Sequence, residues 1–218
     1  MIKLYLFDMD KTLLESDCDV TWKEFLVKHH LAPENALETA EKFNQDYKAG
    51  TLDDAAFTEF QLAEFKGKTK PEMLKLAVMH FEEYVKPNIR PQAFSLVKEL
   101  ISKGMKVAML TSTNHILATP VAAHFGITDY IGAGLEMVNG RFTGRPAGCY
   151  PDGNGKIFHL GRLCERFAID AAEVAAFGDS VNDIRLLETV GLPVAISPSP
   201  ALRERAASGN WKIEEWHI

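Results

Sequence analysis

The first apolar run, residues 2–7, is broken only by Lys3 and stops at Asp8 and Asp10. Its length and polar stop predict a buried strand with acids at its carboxyl end. Three further places repeat the pattern. In residues 106–114, Val-Ala-Met-Leu leads into Thr111, Ser112, Thr113 and Asn114. In residues 173–180, Val-Ala-Ala-Phe leads into Gly178 and Asp179, and residues 192–196 form the fourth run. Helical spacing lies between the runs. Ala93, Leu96, Val97, Leu100 and Ile101 make one buried stripe, and Gly104 stands where that helix should end. Residues 114–125, 155–167 and 181–190 read as further helices. This alternation predicts an α/β fold, a doubly wound and mainly parallel sheet with helices on both faces. Asn139-Gly140, between two short β-prone stretches, predicts a hairpin.

Residues 15–87 look different, with no strand-like run. Trp22, Phe25 and Leu26, then Phe57 and Phe60, then Leu74, Ala77, Phe81 and Tyr84 recur at helical spacing. Pro33, Gly50, Gly67-Lys68 and Pro71 punctuate the stretch. The expected organisation is a core of residues 1–14 and 88–218, with a helical bundle, 15–87, inserted after the first strand.

Composition narrows the class. The 218 residues are 46% hydrophobic and 25% charged, with net charge −6. That suits a globular protein with a substantial core and argues against a nucleic-acid partner, which calls for basic excess. Cys18, Cys149 and Cys164 fit no zinc spacing and are expected to be reduced thiols. No run suits a signal peptide or a membrane span, so a cytoplasmic protein without a membrane partner is expected, as a monomer or weak homodimer.

The candidate chemistry lies where the strands end, and in a parallel sheet ligands bind outside those ends. Asp8 and Asp10, at i and i+2, point to one side of an extended chain and suit a hard cation, or a division into attacking and proton-transferring groups. Thr111 and Ser112 precede a helix start and could hold an anion. Lys156, within Asp152-Gly-Asn-Gly-Lys, could reach a phosphate. Asp179 follows a buried strand, with Asn182 and Asp183 close behind.

In this order the four clusters resemble the motifs of the haloacid dehalogenase (HAD) superfamily. Asp8-Met-Asp10-Lys-Thr12 is similar to the opening Asp-x-Asp-x-Thr motif, and Gly178-Asp179-Ser-Val-Asn182-Asp183 to the last motif. The helical insertion is similar to the C1-type cap of subfamily IB, which includes phosphoserine phosphatase. The resemblance implies a magnesium-dependent phosphomonoester hydrolase acting on a small phosphorylated metabolite. Asp8 would form an aspartyl-phosphate and Asp10 would transfer the proton. Mg2+ would be held by Asp8, Asp179 and the Asp10 carbonyl, with Asp183 supporting it. Thr111, Ser112, Lys156 and Asn182 would hold the phosphoryl oxygens.

The sequence departs from that pattern in the insertion. Phosphoserine phosphatases are expected to use a glutamate after the first motif and a cap arginine for the substrate carboxylate. Here Asp17 and Asp19 occupy the first region, able to meet an amine or to cap a helix starting near Val20. Residues 53–70 contain only lysines as basic residues, and lysine does not reproduce a bidentate carboxylate clamp. Transfer of the phosphoryl group to a small alcohol, or a non-catalytic HAD-fold binding protein, are the competing readings.

Overall fold

A computed structural model describes residues 1–49, 51 and 53–218. A seven-stranded sheet runs in the order β4-β3-β2-β1-β5-β6-β7. Its strands are β1 Leu4–Phe7, β2 Lys106–Asn114, β3 Asp129–Val138, β4 Arg141–Ala147, β5 Val174–Gly178, β6 Leu192–Ile196 and β7 Lys212–Glu214. All neighbours pair in parallel except β3 and β4, whose antiparallel hairpin turns at Asn139 and Gly140. Both turn residues have positive φ, 51° and 75°, the conformation an Asn-Gly turn supplies at least steric cost. The four apolar runs became β1, β2, β5 and β6. They read as continuous apolar runs because both faces are covered. Phe7, Met109 and Phe177 point into one layer, while Leu6, Leu110 and Ala176 point into the other.

Helices α1 Cys18–Lys28, α2 Ala36–Ala49, α3 Asp54–Leu62 and α4 Lys70–His80 lie between β1 and the helix α5, Pro91–Ser102. Of the expected breaks in this stretch, Gly50 lies outside the described residues. The rest of the chain adds α6 His115–Phe125, α7 Asn154–Phe167, α8 Ile184–Thr189 and α9 Pro200–Ser208. The helix expected over 181–190 is instead a 3₁₀ turn, Val181–Asp183, followed by α8. The Asp183 carboxylate accepts hydrogen bonds from the N–H groups of Asp179 and Ser180, which tightens the first turn. Among the described residues no helix is long and apolar enough to cross a membrane.

A third apolar cluster joins the helices of 18–80 to the sheet layer. Trp22, Phe25, Leu26, Phe65 and Met73 pack with Ile116, Leu117 and Phe142. Lys23 runs through this layer fully buried, its ammonium on the Glu64 carboxylate at 2.7 Å and on the Phe60 carbonyl at 2.6 Å. His80 is 1% exposed, with its Nε2 2.9 Å from the Thr21 hydroxyl. Burial lowers its pKa from 6.5 to about 4, against a small opposing pull from Glu83. Below pH 6.5 the unfolded chain therefore takes a proton that the folded chain refuses, and stability drops until about pH 4. At ~1.4 kcal/mol per pH unit the loss is about 3 kcal/mol. His80→Gln should flatten this limb when urea unfolding is compared at pH 7 and pH 4.5. An unchanged difference between the two pH values would assign the acid loss elsewhere.

Candidate active site

The chain leaves β1 toward β2 on one side of the sheet, and β5 lies on the other side of β1, so a crevice opens between the ends of β1 and β5. Asp8 follows β1 and Asp179 follows β5, and both are more than nine-tenths buried. With Asp183 they present carboxylate oxygens that all lie within 4.8 Å of one another. Among the described residues, one ammonium bonds directly to the cluster. The Lys156 ammonium donates to Asp8 Oδ1 at 2.7 Å and to Asp183 Oδ1 at 2.5 Å.

Two glycines make this approach possible. A Cβ on Gly178 would stand 2.5 Å from the Asp183 carboxyl carbon, so only glycine lets Asp183 tuck beneath the loop. A Cβ on Gly155 would stand 1.7 Å from the Tyr150 carbonyl oxygen, so glycine lets the start of α7 close on the preceding loop and deliver Lys156.

Asp10 faces the same crevice from the next turn of chain. Its Oδ1 accepts from the Cys18 N–H at 2.7 Å, and its Oδ2 from the Thr113 hydroxyl at 2.6 Å and the Thr111 hydroxyl at 3.4 Å. The Thr113 N–H in turn donates to Thr111 Oγ1 at 3.1 Å. Thr113 is thus the stronger partner of Asp10, a role that sequence reasoning did not assign. Its signal was there: Thr111 and Thr113 are i and i+2 on a strand and share a face. Asn114 caps α6, accepting from Ile116 and Leu117 N–H. Ser112 and Asn182 are half-buried, and among the described residues neither side chain has a hydrogen-bond partner.

The electrostatics follow from the burial. Desolvation raises Asp8 to about 7, with Lys156 pulling down and Asp183 pushing up. Desolvation and the repulsion of Asp8 and Asp183 raise Asp179 to about 8. Asp10 rises to about 6, through burial and Asp17, against the hydrogen bonds from Thr113 and Cys18. Burial disfavours the Lys156 charge, yet Asp183 and Asp8 outweigh it and hold the ammonium. Three clustered carboxyls facing one ammonium make an electron-rich oxygen set that fits a hard divalent cation such as Mg2+.

Asp17 caps α1, which starts at Cys18 and not near Val20. Its Oδ1 accepts from the Asp19 N–H at 3.1 Å, and its Oδ2 pairs with Lys11 at 3.1 Å. Lys11 holds φ 58°, the left-handed region that costs a side chain roughly 1–2 kcal/mol. Asp19 is half-buried, and its carboxyl is pushed well up by desolvation and by Asp17 and Asp10. Tyr150, exposed by half, feels the same acids. Its phenol is raised by desolvation and then by Asp19, Asp152 and Asp10. This closeness of Tyr150 to the acids was not legible in the sequence, because a lone aromatic in a loop carries no spacing signal.

Comparison with known proteins agrees with this geometry. A histidinol-phosphatase from Neisseria meningitidis serogroup C (strain 8013) is 36% identical over 220 residues, 98% of each chain. Phosphoserine phosphatase SerB1 from Mycobacterium tuberculosis (strain ATCC 25618 / H37Rv) is 30% identical across 97% of this chain and 70% of its own. A solved structure from Bordetella pertussis Tohama I, a protein of unknown function, superposes with TM-score 0.89 at 30% identity, covering 98% of this chain and 99% of that one. A phosphoserine phosphatase solved as a phospho-aspartyl intermediate analogue shares the fold, with TM-score 0.71 at 21% identity over 98% and 93% of the two chains. The family described as haloacid dehalogenase-like hydrolase matches residues 5–188. With the four strand-end clusters gathered in one crevice, the chain belongs to the haloacid dehalogenase-like hydrolase family, among its phosphatases.

Proposed function

We propose that this chain is a Mg2+-dependent phosphomonoesterase whose substrate is a small phosphorylated amino alcohol, cationic at its head and lacking a carboxylate. Asp8 attacks phosphorus, and the bond to the leaving alkoxide breaks as Asp10 gives it a proton. The Asp10 carboxylate then takes a proton from water as that water attacks the phosphorus of the aspartyl-phosphate. Inorganic phosphate leaves and Asp8 is restored. A carboxyl raised to about 6 suits a group that must alternately hold and release a proton near neutrality. Lys156 meets a phosphoryl oxygen, joined by Thr111, Ser112 and Asn182. Asp8, Asp179 and the Asp10 carbonyl would hold Mg2+, with Asp183 steadying the set, and the ion supplies charge neutralisation that lets a carboxylate approach a phosphate dianion.

The head-group assignment rests on one observation above all. Residues 15–87 contain no arginine, while Asp17 and Asp19 stand at the start of α1 beside Asp10. A site of this composition favours an ammonium and offers a carboxylate no fork of donors. The end-to-end similarity to a histidinol-phosphatase points the same way, since histidinol phosphate carries an amine and no carboxylate.

The test is a pair of substrates. Histidinol phosphate should show kcat/KM at least ~10-fold above phosphoserine: both carry an ammonium, but the phosphoserine carboxylate would stand unpaired beside acids, a cost of about 1–3 kcal/mol. Asp19→Asn should shrink that preference several-fold, by relieving the repulsion of the carboxylate, and leave p-nitrophenyl phosphate turnover nearly as it was. Equal turnover of phosphoserine by the unaltered enzyme would overturn the head-group assignment.

A further inference from the structure

Arg90 is 3% exposed, and its guanidinium binds parts of the chain far apart in sequence. Both linkers between the sheet and the helices of 18–80 meet at this residue. Glu15 N–H donates to the Asn88 carbonyl at 2.8 Å, Arg90 N–H donates to the Leu13 carbonyl at 3.1 Å, and Leu14 bridges Ile89. The Arg90 side chain fastens the first linker directly, with Nε on the Leu14 carbonyl at 3.2 Å and Nη2 on the Glu15 carboxylate at 3.0 Å.

Its other end turns away from the linkers. Nη1 donates to Ser197 Oγ at 2.8 Å and to the Trp216 carbonyl. Ser197 and Trp216 are locked together, since Trp216 N–H donates to Ser197 Oγ at 3.0 Å and that hydroxyl donates to the Trp216 carbonyl at 2.9 Å. Ser197 holds φ 39°, a strained value for a residue with a side chain.

From there two short paths reach the carboxylates. Ser199 N–H donates to the Asp179 carbonyl at 2.8 Å. The Trp216 ring stacks on Phe177, centroids 6.4 Å apart, and Phe177 stacks on Phe7 at 4.3 Å. Phe7 directly precedes Asp8, and Phe177 stands two residues before Asp179. The stack therefore underlies, along the chain, the ends of β1 and β5 that carry the two carboxylates.

We infer that Arg90 is a positioning residue which couples the linkers of the inserted helices to the strand ends that carry the two carboxylates, through Ser197 and Trp216. It touches no reacting atom. A surface ion pair would contribute little, whereas a buried guanidinium bonded to carbonyls from separate segments fixes their relative placement. The consequence is that the orientation of the helical insertion and the geometry of the Asp179 loop shift together.

This coupling rests on the proposed phosphatase site but can be measured without that activity. Arg90→Lys keeps the charge and loses the fork. Ser197→Ala removes the node and leaves Arg90 in place, so it decides the matter if the arginine variant fails to fold. Amide hydrogen exchange on the full chain is the readout, beside calorimetric Mg2+ binding. Both variants should speed exchange at least ~10-fold at Glu15 and Arg90 and also at Asp179 and Ser180, and should weaken Mg2+ binding at least ~5-fold. Faster exchange confined to the linkers, with Mg2+ binding unchanged, would mean a merely local structural role and would overturn the coupling. So would two folded variants with no change at either place. Failure of the proposed reaction would show instead as an unaltered protein that binds Mg2+ yet hydrolyses no phosphomonoester.

Discussion

Asp8→Asn should reduce steady-state turnover of p-nitrophenyl phosphate by at least ~10⁴-fold while the protein stays folded. A carboxamide oxygen is a poor nucleophile, and the change also takes one anionic oxygen from the carboxylate cluster. Under the proposed mechanism Asp8 carries the covalent step, and loss of such a group removes most of the rate enhancement, as with other nucleophiles acting in concert with a proton-transfer partner. Stability should move the other way. The side chain is nearly isosteric, and burial together with Asp183 holds the Asp8 carboxyl up at about 7. Its charge is thus poorly accommodated in the absence of a cation, although Lys156 offsets part of the cost. The variant should therefore give a thermal midpoint equal to or above that of the unaltered chain in chelator. Mg2+ should raise that midpoint less in the variant, because one proposed ligand is missing. Residual turnover within about tenfold of the unaltered enzyme would remove Asp8 from the chemistry.

The parts that sequence revealed share a physical cause. Residues 2–7 and 173–178 are apolar nearly throughout because β1 and β5 are buried on both faces, so a short window suffices to see them. The carboxylates after them stood out because an acid at the end of such a run is costly without a partner. Asn139-Gly140 announced its hairpin because its turn needs two residues of positive φ. What stayed hidden depends on distant partners. Strand β7 has three residues, Lys212, Ile213 and Glu214, too few to alternate visibly, and exists because it pairs with β6. The 3₁₀ turn at Val181–Asp183 follows from where one carboxylate folds back, not from helix propensity. Thr113 gained its role from Asp10, 103 positions away. Arg90 left no pattern because its acceptors lie 76 and 126 residues away, at Leu14 and Trp216. The proposed head-group preference stood between these cases. The lack of arginine was legible, but sequence spacing did not separate the capping role of Asp17 from the less constrained carboxyl of Asp19.

Lys156→Met should destabilise the fold as well as silence it, unlike the change at Asp8. The lysine is 2% exposed and lies on Asp8 and Asp183 together. Removing it leaves carboxylate oxygens of Asp8, Asp179 and Asp183 within 4.8 Å of one another, and among the described residues no other ammonium bonds to them, although Lys11 still acts on Asp179 from a distance. Breaking a buried ion pair by deleting one partner costs about 3–5 kcal/mol. Methionine fills much of the volume, so the loss reports charge and not a cavity. The sign with pH follows from the same picture. Asp8 and Asp179 already have folded-state values raised to about 7 and 8, and loss of Lys156 removes an influence that lowers both. Their unfolded values lie near the ordinary carboxylate value of about 4, so the folded variant binds protons that the unfolded chain does not. Its deficit should therefore be largest above pH 8 and shrink as the pH falls toward 5. Mg2+ should partly restore stability by neutralising the same cluster, and should raise the midpoint of the variant more than that of the unaltered chain. Turnover should not return with it, because the ion does not replace the ammonium proposed to meet a phosphoryl oxygen. The measurement is urea unfolding at pH 8.5 and pH 5.5, with Mg2+ or with chelator. A variant as stable as the unaltered chain at pH 8.5 in chelator would show that the carboxylates tolerate one another without Lys156. The charge balance proposed to make this crevice a cation site would then have to be abandoned.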